Sequence, residues 1–216
     1  MHLIAPDLPG HGLSARVPLT TLYDVAKEVA AIIVRSAPEG RAHVVGLSYG
    51  GAVAEALMVH FPEVVDHVIL SGAPTRLPGF LLWMTSLNEP ILRMLKPDQL
   101  ARLILLNFGL PSRFLELVRE DLECFSSRTL FDVVKTYSEI RMPTAFFSPT
   151  LVCVGQKETF IAKSCARKLA RETPGAKRVM AQGVGHVWSM EQPDLFSDMV
   201  RAWISDKPLP PALRPL

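Results

Sequence analysis

Cysteine is scarce in this chain, with Cys124, Cys153 and Cys165 its only three among 216 residues. They form neither an even disulfide set nor a C-x-x-C pair, which argues against a disulfide-stapled scaffold and a thiolate metal site; free, buried, non-catalytic thiols are expected. Long apolar runs are also missing. No window approaches the roughly 18 uninterrupted apolar residues of a membrane span, and the N-terminus lacks a basic segment followed by an apolar one. The chain therefore reads as cytoplasmic, without a membrane span. Neither sign of charge is in excess: 23 Lys and Arg against 21 Asp and Glu leave a net +2 with no basic block, so no nucleic-acid partner is expected. Internal repeats are absent. What is plentiful is apolar material, 49% of residues against 20% charged, enough for one globular domain with room for an insertion.

The order of segments points to an α/β architecture. Residues 2–6 (HLIAP), 42–46 (AHVVG) and 67–71 (HVILS) are apolar runs without polar alternation, expected as parallel strands buried on both faces. Between the first two, Thr21 opens a helix, with Asp24 as capping-box partner and Leu22, Val25, Val29, Ile32 and Ile33 spaced for one buried face. A second helix is predicted over residues 49–60, stopped by Pro62. Strand signals vanish over 75–147, where stretches such as 98–106 and 130–137 have helical periodicity. Phe80, Phe108, Phe114, Phe125, Phe131, Phe146, Phe147 and Trp83 concentrate there, as a local core or as the wall of an apolar pocket. The α/β pattern resumes with strands at 150–154 and 177–181, a helix near 159–172 and a last helix near 193–205. The division expected is a core of 1–74 and 148–206, a helical insertion of 75–147, and a Pro-rich tail of 207–216 that is extended or disordered.

The chemistry centres on Gly46-Leu47-Ser48-Tyr49-Gly50-Gly51, which lies between a strand and a helix. A serine hydroxyl attacks a carbonyl only when it is exposed, next to a base and close to donors for the developing oxyanion. Glycines on both sides permit the sharp turn that exposes Ser48, and the Tyr49 amide then opens the helix, where an N–H favours negative charge. His186 follows the last expected strand in Gly183-Val184-Gly185-His186, and Glu158 follows the strand before it. The chain order is thus serine, acid, histidine, each beyond the carboxyl end of a strand, where open α/β sheets place their sites.

These segments resemble the α/β-hydrolase superfamily, and within it small serine hydrolases with a helical cap. The matching stretches are Asp7-Leu8-Pro9-Gly10-His11-Gly12-Leu13-Ser14, the Ser48 turn, the loop from Gly155 to Glu158, and Gly185-His186 running on to Glu191-Gln192-Pro193. The resemblance implies a cap at 75–147 and Ser48, Glu158 and His186 as nucleophile, acid and base. The Tyr49 N–H would be an oxyanion donor and Trp83 and Val187 parts of the substrate pocket. The expected reaction is cleavage of a small apolar acyl substrate through an acyl-enzyme, without metal or organic cofactor. Two departures stand out. The acid is a glutamate where the family more often has aspartate. Three strands that members carry before residues 2–6 have no counterpart, and with them goes the loop that supplies a second oxyanion amide. The sheet is therefore expected to be truncated on this side, with strands 2–6 and 42–46 either pairing directly or leaving a gap, and with an edge open to self-association.

Plainer roles compete with these. Ser48 is otherwise an incidental serine in a glycine turn, Glu158 a helix first-turn acid and His186 a loop histidine. His11 and Ser14 read as rim residues, His43 as packed in its strand and Glu191 as a cap of the last helix, while Asp132 and Asp194 are poorer acids. A catalytically impaired domain that binds a ligand or partner is the alternative to the hydrolase.

Overall fold

A computed structural model describes residues 2–80, 83, 87, 90, 94–123 and 127–216. Five strands, β1 (Ala42–Leu47), β2 (Val65–Ser71), β3 (Thr150–Gly155), β4 (Lys177–Ala181) and β5 (Leu213–Pro215), form one sheet in sequence order. The first four are parallel, and β5 is antiparallel to β4. This is the mostly parallel, helix-covered sheet expected from the sequence.

Helix α1 (Leu22–Ser36) starts at Thr21, whose hydroxyl accepts from Asp24 N–H while the Asp24 carboxylate accepts from Thr21 N–H, the capping box expected from the sequence. Leu22, Val25 and Ile33 are buried on its inner face, with Val29 and Ile32 half-buried. Helix α2 (Tyr49–His60) is apolar almost all round because it lies between α1 and the sheet. Between β2 and β3 come α3 (Pro97–Phe108), α4 (Leu115–Glu123) and α5 (Ser127–Thr136), with no strand among the described residues. Then follow α6 (Phe160–Glu172), the single turn α7 (Trp188–Glu191) and α8 (Pro193–Ile204).

The absence of polar alternation in the central strands has a direct cause. Val68, Leu70, Val152 and Val154 pack into the core beneath α1, α2 and α6, while Ile69, Leu151 and Cys153 pack on the other side with Met199 and Trp203 of α8. Both faces are therefore dry. Trp203 also donates its ring N–H to the Val68 carbonyl at 3.0 Å.

Four expectations need correction. Residues 2–6 form no strand: they have no regular secondary structure and are exposed, Leu3 by 78% and Ile4 by 42%. A lone strand has no ladder to join, and no strand runs beside this segment among the described residues. Direct pairing of 2–6 with 42–46 does not occur. For the same reason β1 is an edge strand, and Val45 is 42% exposed rather than buried on both faces. His43 likewise is exposed rather than packed. The tail is ordered at its end, since Leu213 is buried in the α8-side core and 213–215 pair with β4.

Phe131 and Phe146 are core residues, Phe80 and Phe147 are exposed, and Phe125 and Cys124 lie outside the described residues. Cys153 is buried; Cys165 is half-buried, with its sulfur 3.4 Å from Thr75 Oγ1. Among the described residues no helix is long and apolar enough to cross a membrane.

Candidate active site

Ser48 joins β1 to α2 with φ 53° and ψ −116°, a conformation that a non-glycine residue holds only when its surroundings impose it. Two contacts do so. Ser48 N–H donates to the Ser71 carbonyl at 2.9 Å, and the Ser48 carbonyl accepts from Gly51 N–H at 2.8 Å and Ala52 N–H at 3.2 Å, starting the helix. A Cβ on Gly46 would collide with the Gly50 backbone, and one on Gly51 with Ala73 at the end of β2. The glycines thus let the chain reverse and let α2 press against the sheet. Tyr49 is the first residue of the helix.

Glu158 and His186 come from loops that are fastened to each other. Gln156 N–H donates to the Ala181 carbonyl and Lys157 N–H to the Val184 carbonyl, both at 2.8 Å, and Gln156 Oε1 accepts from Gly183 N–H at 2.8 Å. This brings Glu158 Oε2 to 2.7 Å from His186 Nδ1, with Glu158 Oε1 accepting from Gly155 N–H at 2.9 Å. The carboxylate side chain is 2% exposed and the imidazole 13%. A buried acceptor on Nδ1 orients the ring and leaves Nε2 as the working nitrogen. Nε2 is buried and without a hydrogen-bond partner.

The end of β2 links the two halves. Ser71 holds the Ser48 backbone, and the next residue, Gly72 at φ +53°, lies so close to the histidine that a Cβ there would come within 2.7 Å of Cε1 and 2.8 Å of Nδ1. The Phe108 ring stacks on His186 with centroids 4.8 Å apart, and Glu191 Oε1 accepts from Gly185 N–H at 2.7 Å. Glu191 therefore braces the histidine loop and does not cap α8.

On the other side of Ser48, the Tyr49 ring is buried, stacked on His11 at 5.9 Å and 6.4 Å from the Tyr137 ring. Burial pushes the Tyr49 phenol up, and it pushes Tyr137 to about 12, partly offset by the neighbouring Ser48 hydroxyl. Both phenols are thus held in their neutral form. Seven residues beyond Ser48, the Glu55 carboxyl is buried with neither oxygen hydrogen-bonded, and burial raises its pKa well above the carboxylate range.

Sequence spacing therefore located Ser48, Glu158 and His186 at one end of the sheet. Trp83 stacks on Phe80 with both rings largely exposed, and half-buried Val187 precedes α7. Asp132 pairs with Lys135 on α5 at 3.1 Å, and Asp194 lies in the first turn of α8. Gly72 and Tyr137 were not singled out, and Phe108 was expected only as one of several rings forming a local core or a pocket wall. Of the first two, only Gly72, a glycine at a strand end, carried any local signal.

A model of the alpha/beta hydrolase family matches residues 1–199. An AB hydrolase superfamily protein of Gibberella zeae is 29% identical over 219 residues, covering 97% of this chain and 72% of that protein. Lipase 1 of Psychrobacter immobilis is 27% identical over 225 residues, covering 94% and 69%. Among solved structures, a thermophilic esterase from Thermogutta terrifontis superposes with a TM-score of 0.78 at 23% identity, covering 93% of this chain and 78% of the esterase. With a mostly parallel sheet, a strand–serine–helix turn and a family match over nearly its whole length, the chain belongs to the alpha/beta hydrolase family.

Proposed function

We propose that this hydrolase is a serine esterase that cleaves an ester or related acyl bond of a small apolar substrate through an acyl-enzyme. The observation that carries the reading is the buried 2.7 Å Glu158–His186 contact, which leaves Nε2 unpartnered at the same strand end that holds Ser48. Nε2 takes the Ser48 proton as Oγ attacks the carbonyl carbon, and Glu158 stabilises the imidazolium that results. The Tyr49 N–H, at the positive end of α2, receives the oxyanion. Collapse expels the alcohol, protonated by His186; a water deprotonated by the same nitrogen then releases the acid. None of these steps calls for a metal or organic cofactor. The segment 75–147 acts as a cap, bringing Phe108 over the histidine, with Trp83 and Val187 as further apolar wall.

One observation favours a second reading, a binding domain with impaired turnover. Ser48 Oγ has no hydrogen bond to Nε2 and lies beside Tyr137. Apo hydrolases often tighten this contact only with substrate bound, so the esterase reading comes first. Turnover of a short p-nitrophenyl ester separates the two. The esterase turns it over and Ser48→Ala loses at least on the order of 10³-fold in kcat; a parent without turnover whose ligand binding survives Ser48→Ala would support the binding domain.

A further inference from the structure

The end of the sheet opposite Ser48 holds a second group of chemistry-bearing side chains. His43 is near the start of β1, and Asp66 and His67 are near the start of β2. Consecutive strand residues normally point to opposite faces, which would separate Asp66 from His67. Here the β1–β2 register shifts: Ala42 pairs with Val65 and Val44 with Val68, so two residues of β2 oppose the single His43. This bulge turns both side chains toward the histidine.

The geometry that results suits a cation. One ligand atom from each of His43, Asp66 and His67 lies within 4.8 Å of the other two. Asp66 stands between the rings, with Oδ2 3.6 Å from His43 Nδ1 and Oδ1 3.2 Å from His67 Nδ1. Donors at about 2.0–2.2 Å from a tetrahedral zinc are roughly 3.4 Å apart, and each imidazole lies near that distance from a different Asp66 oxygen. His43 Nδ1 accepts from His67 N–H at 3.3 Å, a long contact that an ion would displace in taking the same lone pair. His67 Nε2 faces Asp206 Oδ1 at 3.4 Å, just past the end of α8. A carboxylate on the far nitrogen of a histidine is the partner that metal-bound imidazoles ordinarily have, because it keeps the proton there and turns the other lone pair toward the ion.

We propose that His43, Asp66 and His67 bind a divalent transition-metal ion of the zinc type, with Asp206 as the positioning carboxylate and solvent completing the coordination. Two imidazoles and one carboxylate favour zinc over magnesium or calcium, which take oxygen ligands. The site is roughly 17 Å of strand from Ser48, so its role is structural. It clamps the exposed strand β1 to β2 and, through Asp206, to the junction where the C-terminal tail leaves α8.

The test uses the full chain stripped with a chelator and titrated with Zn²⁺, Co²⁺ and Mg²⁺ separately. Saturable binding of one Zn²⁺ per chain, a raised melting temperature, visible cobalt bands of a tetrahedral N/O site and no response to Mg²⁺ are expected. His43→Ala and Asp66→Asn should each abolish the cobalt spectrum, and Asp206→Asn should weaken zinc binding at least on the order of 10-fold. The proposal is overturned if the parent, whose spectrum requires no variant to fold, shows no saturable zinc binding. It is equally overturned if Mg²⁺ competes on equal terms, or if a folded His43→Ala chain binds zinc as the parent does.

Discussion

Gly72 is where a single hydrogen atom matters most to the proposed chemistry. Its φ of +53° and its approach to the imidazole leave no room for a Cβ, which would lie 2.7 Å from His186 Cε1. Gly72→Ala is therefore expected to displace the ring relative to Ser48 and lower kcat for a p-nitrophenyl ester by on the order of 10²-fold. The far-UV spectrum should be unchanged, since the strained position lies just past the end of β2. Glu55 is a different case, a carboxyl that the proposed reaction does not use. Its folded pKa lies well above its unfolded one because burial disfavours the charged form. From about pH 4 upward through that raised value the folded chain holds a proton that the unfolded chain releases, so stability falls as pH rises. Replacing the carboxyl by an amide removes this titration. Melting curves of Glu55→Gln and parent should therefore nearly coincide at pH 5 and diverge at pH 8 with the variant higher; equal differences at both values would refute the assignment.

At the scale of elements, the C-terminal strand is the sharpest case of tertiary context overriding local signal. Residues 207–216 are rich in proline, and nothing in their pattern marks a strand. Pairing of β5 with β4 is possible because an edge strand tolerates proline, and it persists because Leu213 completes the core formed by Ile69, Trp188 and Trp203. Leu213→Ala should cost about 2 kcal/mol in urea unfolding, at the low end for a buried leucine because the strand is short. Helix α2 shows the reverse. Its apolar composition and glycine-rich start fit its place between α1 and the sheet, and its limits were legible to the residue. The helices between β2 and β3 were legible as helices from their periodicity, but α4 was not singled out, its polar sequence offering only a narrow apolar stripe.

For the whole molecule, the open edge of β1 is the dominant feature. Val45 is exposed on it, and no strand pairs with its outer side among the described residues. An unpaired strand edge presents a row of N–H and C=O groups to any strand that lies along it. Read from the residues alone, the α/β class, the parallel core strands, the glycine turn around Ser48 and the order of Ser48, Glu158 and His186 were all legible. Each depends on local geometry or on apolar periodicity, which adjacent residues determine. Whether residues 2–6 form a strand, which face of β1 is wet, and what stands behind His186 depended on neighbours distant in sequence. A strand exists only where a partner offers hydrogen bonds, and Gly72, Phe108 and Tyr137 reach the site only because the packed sheet and helices bring them there.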